Sequence, residues 1–309
     1  MMNTESTIAI FGSGGLAGGA IKDALIAKGH TGLLLPRSRD LDLREQRDVR
    51  AWFGANKVDY VFLAAALVGG IMANKTRKAE FLHDNLMMQS NVIDTAYYSG
   101  VKKLLFLGTS CIYPAGRQHP LQENELLTGP LEPTNDAYAI AKIAGIKQCD
   151  FYREQYGFDA ISLMPPNLYG PGDHFKDENG HVLAALLNRF HMAKEAGAAR
   201  VECWGDGTAM REFLFSEDLA DACLYFMDNY SESGHVNTGT DTDITIKELA
   251  ETVAKVVGFE GEIAWDTSKP NGNPRKLLDS TRARALGWAP KTSFESGLEK
   301  TYEWYLKNV

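Results

Sequence analysis

Tyr138 and Lys142 stand four residues apart in Ala137-Tyr138-Ala139-Ile140-Ala141-Lys142, a stretch without Gly or Pro that reads as helix. That spacing puts a phenol and an ammonium on one helix face. An ammonium beside a phenol favours the phenolate and lowers its pKa from about 10. The expected result is a phenol that exchanges a proton with a carbonyl or an alcohol near neutral pH. Alone the pattern is common, and its company gives it meaning. Upstream, Leu107-Gly108-Thr109-Ser110-Cys111-Ile112-Tyr113-Pro114 follows a predicted strand. A hydroxyl just past a strand end can hydrogen-bond a carbonyl, and Thr109 and Ser110 are both candidates.

The elements that position these groups begin at the N-terminus. Ile8–Phe11 is a short apolar run, Gly12-Ser13-Gly14-Gly15-Leu16-Ala17-Gly18 a glycine-rich turn, and Ala20–Lys28 an amphipathic helix stopped by Gly29. Gly12, Gly15 and Gly18 allow a tight turn, approach to a pyrophosphate and packing of helix on strand. The order strand, loop, helix is what a dinucleotide fingerprint requires. Leu16 in this turn and Ala64 at the end of the third strand are expected against the same cofactor. The second strand, Gly32–Leu35, runs into Arg37 and Arg39. Arginine here suits a 2′-phosphate, so the cofactor read from these residues is NADP(H). Asp40 and Asp42 follow closely and oppose that charge.

The whole chain reads as α/β. Strands are expected at Ile8–Phe11, Gly32–Leu35, Tyr60–Ala64, Lys103–Leu107 and Ala160–Met164. Helical patterns separate them at Ala20–Lys28, Arg44–Asn56, Phe81–Ser99 and Tyr138–Tyr156. Repeated βα units imply a Rossmann-type, doubly wound parallel sheet with ligands at the carboxyl ends of its strands. Beyond Pro165-Pro166 the pattern loosens into Gly-, Pro- and Asp-rich loops, with helices at Val182–Ala196, Ser216–Asn229 and Ile246–Val257. The expected division is an NADP-binding domain at 1–165. A smaller, interlocked mixed α/β substrate domain follows at 166–309, some of whose segments return to the first.

Composition narrows the class. The 309 residues can bury a sizeable core, and 44% apolar with 23% charged is ordinary for a globular protein. A net charge of −8 argues against nucleic acid as a partner. Cys111, Cys149, Cys203 and Cys223 form no C-x-x-C pair, so neither a metal site nor a disulfide framework is suggested. The start shows no secretory pattern, and the longest apolar stretch, Val61 to Ala73, is too short to span a bilayer. The expectation is a cytoplasmic protein with no membrane partner.

Gly12-x-x-Gly15-x-x-Gly18, Thr109 before Tyr113, and Tyr138-x-x-x-Lys142 resemble the extended short-chain dehydrogenases/reductases over nearly the whole chain. In that family the hydroxyl residue sits four before the tyrosine of the strand-end motif, which picks Thr109. Longer segments narrow the resemblance to the GDP-L-fucose synthase family. They include 64–71, 131–135, 138–147, Met210-Arg211-Glu212-Phe213 and Pro274-Arg275-Lys276-Leu277-Leu278-Asp279. That family epimerises a GDP-4-keto-6-deoxy sugar at C3 and C5 and reduces C4 with NADPH. The resemblance implies that Cys111 and His181 form the extra acid–base pair, with His181 also near the cofactor. It implies that Arg189, Arg211 and Lys276 are cations around a GDP-sugar. Trp204 is a candidate to pack on sugar or base, with core packing as the alternative, and Asn167 to contact substrate. Tyr138 and Lys142, besides their catalytic role, would touch the cofactor.

The chain departs from the family at Ser13-Gly14, where a basic residue is usual, at Leu67, where lysine is usual, and at Pro166, where threonine is usual. These departures leave room for a related 4-keto GDP-sugar, such as a 3-deoxy sugar or a heptose. A 4,6-dehydratase or 4-epimerase would carry an acid beside Thr109, where Ser110 and Cys111 stand. A non-catalytic scaffold would have no use for Thr109, Tyr138 and Lys142. Helices Phe81–Ser99 and Tyr138–Tyr156 are the expected homodimer surface.

Overall fold

The computed structural model describes residues 1–175, 181–269 and 273–309. Its first half alternates β1 (Ile8–Phe11), α1 (Leu16–Ala27), β2 (Leu33–Leu34), α2 (Gln46–Ala55), β3 (Tyr60–Leu63), α3 (Ile71–Thr76), α4 (Lys78–Tyr98), β4 (Lys103–Leu107), α5 (Asp136–Tyr156) and β5 (Ala160–Met164). The second half holds β6 (Asn167–Tyr169), α6 (Val182–Glu195), β7 (Arg200–Trp204), β8 (Met210–Phe215), α7 (Ser216–Asn229), β9 (Val236–Asn237), β10 (Asp243–Thr245), α8 (Ile246–Val257), β11 (Glu262–Asp266), β12 (Arg275–Lys276), α9 (Thr281–Ala285) and α10 (Phe294–Asn308).

The central sheet has the order β2-β1-β3-β4-β5-β9, and each pair is parallel. Its strands are buried on both faces, as such a sheet demands. Ala9, Phe11, Val61, Leu63, Leu104 and Phe106 face one layer, which holds Val92 of α4 and Ile146 of α5. Ile8, Ile10, Phe62, Leu105 and Leu107 face the other, with Ile21 of α1 and Leu219 of α7. The alternation within β1 is the two-residue period of a strand expressed as packing. The second half builds its own core from Phe190, Phe213, Phe215, Leu249 and Val253, among others. It also lends β9 to the central sheet beside β5 and lays α7 against α1. Among the described residues, no helix is long and apolar enough to cross a membrane.

Several boundaries move from those expected. Helix α1 starts at Leu16 rather than Ala20, because glycines that read as breakers are used for contact. Strand β2 keeps only Leu33–Leu34 as paired residues. The apolar stretch after β3 turns into the short helix α3. Strands β6, β8, β10 and β12, which have no separate signal in the sequence, form a small sheet around β8, and β7 pairs with β11.

Chain order reverses direction across the sheet between β1 and β3, which opens a crevice at their carboxyl ends. Gly12 sits there at φ +90°, a left-handed conformation that favours glycine. A Cβ on Gly12 would lie 2.7 Å from the Ala65 nitrogen, and one on Gly18 would lie 2.2 Å from the Gly12 carbonyl oxygen. Both contacts are backbone on backbone, so neither can be relieved by turning a side chain. Overpacking of this kind costs about 1–3 kcal/mol. Gly18→Ala is therefore expected to lower the melting temperature, read by thermal denaturation, whereas Gly14→Ala, with nothing within 4 Å of its Cβ, leaves it unchanged. Equal melting of Gly18→Ala and the parent would show that the turn has slack.

Candidate active site

A cavity of about 2070 Å³ lies between the carboxyl edge of the central sheet and the second half. A drug-sized ligand occupies about 300–1,000 Å³, so there is room for two ligands. Gly12, Gly15, Leu16, Gly18, Arg37 and Ala64 line its nucleotide-side wall. The residues fit a dinucleotide. Helix α1 begins at Gly15 with no side-chain cap and no acidic residue in its first turn, so its first N–H groups are free for an anion. The glycine cradle leaves no Cβ in the way. Arg37 has no ion-pair partner among the described residues, whereas Arg44 is tied to Asp42 at 2.7 Å. Arg39 is corrected here: it points to Asp40 at 3.6 Å, is largely exposed and does not line the cavity. Two opposite charges adjacent in an exposed turn pair locally, which leaves Arg37, of these two arginines, at the wall.

The chemical groups converge at the far end of this wall. Tyr138, near the start of α5, is half-buried and lines the cavity with Thr109, Cys111 and His181. Lys142 lies one turn further, wholly buried behind them, and does not line the cavity. Its Nζ donates to the Leu107 carbonyl oxygen at 2.8 Å and stands 5.9 Å from the Tyr138 ring centroid. The expected lowering of the phenol is corrected by this geometry. Burial pushes Tyr138 above the ordinary phenol value, with the Cys111 charge acting the same way. Burial pushes Lys142 down to about 7. Desolvation outweighs a cation drawn off toward the end of β4. The phenol is thus held protonated, as a proton donor must be.

Thr109 ends the loop after β4, and its Oγ1 accepts from the Cys111 backbone N–H at 3.3 Å. Ser110 is buried beside it and also reaches the cavity wall. The Cys111 Sγ accepts from Lys276 Nζ at 2.9 Å and from Asn135 Nδ2 at 3.3 Å. Burial raises the thiol, but Lys276, then Thr109 and Arg211, bring it net below its ordinary value. On the opposite wall His181 precedes the first turn of α6, its Nδ1 3.8 Å from Asp173 Oδ1. The Asp173 carboxylate raises the imidazole, against the opposing effect of burial. A thiol biased toward thiolate and an imidazole biased toward imidazolium therefore share one cavity.

The remaining residues expected around a substrate also line it. Asn167 donates to the Glu212 carbonyl oxygen at 2.8 Å. Arg189 Nη1 donates to the Glu202 carbonyl oxygen at 2.7 Å, and Arg211 Nη1 to that of Asn273 at 2.6 Å. Trp204 is 52% exposed, which removes core packing as its role, and Lys269 Nζ lies 5.7 Å from its ring centroid. Lys276 lines the cavity with them, and its Nζ also contacts the Cys111 thiol.

Comparison with known proteins agrees with this geometry. The family model for the NAD dependent epimerase/dehydratase family matches residues 8–239. GDP-L-fucose synthase 1 from Arabidopsis thaliana is 55% identical over 100% of this chain and 96% of its own. The GDP-L-fucose synthase of Escherichia coli (strain K12) is 49% identical over 99% and 98%. The chain belongs to the NAD dependent epimerase/dehydratase family, among its GDP-L-fucose synthases. Among solved structures, the GDP-mannoheptose C4 reductase from Campylobacter jejuni with NADP bound superposes with a TM-score of 0.91, at 39% identity, covering 99% of this chain and 100% of that one.

Within this family site, three residues escaped sequence reasoning. Asn135 was visible only as part of a motif, three residues before Tyr138. Asp173 sits in Gly170-Pro171-Gly172-Asp173, where several acids follow in close succession and nothing marks one as facing the cavity. Glu212 is wholly buried, and burial pushes its carboxyl up to about 7 even though backbone N–H groups of Leu278 and Thr240 favour its charge.

The buried Lys142 gives a test with a definite sign. Unfolded, its amine holds a proton up to about 10.5; folded, only to about 7. Folding releases that proton across this window, so stability falls as pH drops through it. Lys142→Met is expected to raise the melting temperature of the cofactor-free protein near neutral pH, and that advantage should shrink as pH climbs toward 10.5. A gap that does not change with pH would show that the folded amine stays charged.

Proposed function

We propose that the protein converts GDP-4-keto-6-deoxy-D-mannose to GDP-L-fucose, inverting C3 and C5 and then reducing C4, with NADP(H) as cofactor. The observation that carries the reading is the Cys111 thiol held at 2.9 Å by Lys276 Nζ in the same cavity as His181 and Tyr138. A plain C4 reductase needs Tyr138, Lys142 and Thr109 and has no use for an activated thiol.

The 4-keto group acidifies the protons on C3 and C5. Cys111 as thiolate removes one, leaving an enolate whose charge rests on O4. His181 as imidazolium returns a proton to the same carbon from the other face. Each inversion is redox-neutral and leaves a thiol and a neutral imidazole, which recover their protonation by exchange with water. Thr109 and the Tyr138 phenol bind O4 in every step. NADPH, when bound, supplies the hydride that reduces C4. Tyr138 then gives its proton to O4 and recovers one by exchange with water, and Lys142, when it carries its proton, favours the transient phenolate. Gly12, Gly15, Leu16, Gly18 and Ala64 hold the cofactor, with Arg37 on its 2′-phosphate. Asn167, Arg189, Trp204 and Arg211 position the GDP-sugar.

The proposal extends to a cytoplasmic homodimer joined through α4 and α5. Support for the dimer comes from the apolar groups these helices leave exposed, Tyr98, Ile140, Phe151 and Tyr156.

Tyr138→Phe is expected to lower C4 reduction about a hundredfold to ten-thousandfold, the usual size of a lost general acid, with NADPH binding retained. Turnover within a few-fold of the parent, followed at the reduced-nicotinamide band, would remove Tyr138 from this role. Cys111→Ser and His181→Gln separate the two activities. Without NADPH, each should lose most of the solvent deuterium incorporation at C3 and C5, and each should still bind NADPH. Exchange at the parent rate in both variants would reduce the protein to a C4 ketoreductase.

A further inference from the structure

Asp173 follows β6 in the loop that leads toward α6 and is nine-tenths buried. Its Oδ1 accepts the His174 backbone N–H at 2.8 Å and lies 3.8 Å from His181 Nδ1. Its Oδ2 is buried and has no hydrogen-bond partner among the described residues. A buried carboxylate oxygen without a partner is costly, and a nearby cation is what offsets it. The imidazole is near, and both side chains line the cavity. Arg189, two turns along α6, donates to the Glu202 carbonyl oxygen and makes no ion pair with Asp173 among the described residues.

We infer that Asp173 is the positioning residue of His181, holding the ring through Nδ1–H so that Nε2 is the atom that gives and takes the proton at the sugar carbon. Asp173 touches neither substrate nor cofactor in this role. It fixes which ring nitrogen carries the permanent proton and favours the imidazolium that must form before each delivery. The inference rests on the epimerase reading above for what the proton does, but the pairing itself does not depend on that reading.

The test combines imidazole titration with isotope exchange on the full chain. Long-range proton–nitrogen spectra of the parent, with His181 assigned from the His181→Gln variant, should show the Nδ1–H tautomer when the ring is neutral. In Asp173→Asn the His181 pKa should fall by a unit or more. Deuterium exchange at the carbon served by His181 should slow by at least about tenfold, the factor one pKa unit represents. NADPH binding and the melting temperature should stay near those of the parent, and Asp173→Glu should recover part of the exchange. A purely structural role would lower melting and leave the titration alone. Direct sugar binding by Asp173 would raise KM with His181 unmoved. Either result overturns the inference, and so does an Nε2–H tautomer in the parent, which decides the matter even if Asp173→Asn does not fold. If the parent exchanges no deuterium, the epimerase reading fails, while the titration still decides the pairing.

Discussion

Glu212 is fully buried, and its carboxylate accepts backbone N–H bonds from Thr240, Asp241 and Leu278. Three chain segments with no regular pairing to spare meet on one side chain. The carboxylate fastens β8 to the turn before β10 and to the residues just after β12. Along β8 and β12, Arg211 and Lys276 are register partners in a parallel pair. Two cations are thereby set side by side over the loop that follows β4. With the Arg275–Asp243 ion pair and the backbone bonds of Leu121 to Leu277 and Asp279, that anchor holds Lys276 at the thiol of Cys111. The cost of burying a carboxylate is offset by backbone donors that would otherwise lack partners themselves.

The same contact ties the two halves of the chain. Cys111 belongs to the central sheet, whereas Lys276 comes from the last quarter of the sequence. Asn237, in β9, strengthens the junction: it accepts the Tyr113 hydroxyl and donates to the Leu121 and Asp279 carbonyl oxygens. The cavity is consequently a seam between interlocked parts, with a nucleotide wall built by the sheet and a substrate wall built by β6, α6, β7 and β8.

Proton states along the seam follow from whether desolvation or a partner wins. Lys142 has a carbonyl oxygen and two aromatic rings beside it but no carboxylate, and burial drives it toward its neutral form. Tyr138 is driven the same way, to the protonated phenol. Cys111 is partly buried, yet Lys276 stands close enough to reverse the sign. Asp173 beside His181 raises its imidazole against the pull of burial. One cavity can therefore present a base, an acid and a reserve proton donor at a single pH.

Much of this was legible in the sequence. The βα alternation, the glycine turn, the helix carrying Tyr138 and Lys142, and helices α7 and α8 to the residue follow from local periodicity, which the fold did not override. The glycine contacts follow as well, since a turn before a helix has few uses for three glycines at that spacing. Resemblance supplied Cys111, His181 and the cations, because residues that act together across a fold need no fixed spacing. What only the tertiary structure decided are relations between distant segments: Lys276 on Cys111, Arg37 at the cavity wall with Arg39 turned to Asp40, Asp173 beside His181, and Glu212 bonded to the residues just after β12. It also left Tyr138 above the ordinary phenol value, because burial rather than Lys142 sets it. Spacing along a helix says that two groups share a face, but a pKa depends on burial and on the direction in which a flexible side chain turns. Those are set by atoms far away in the chain.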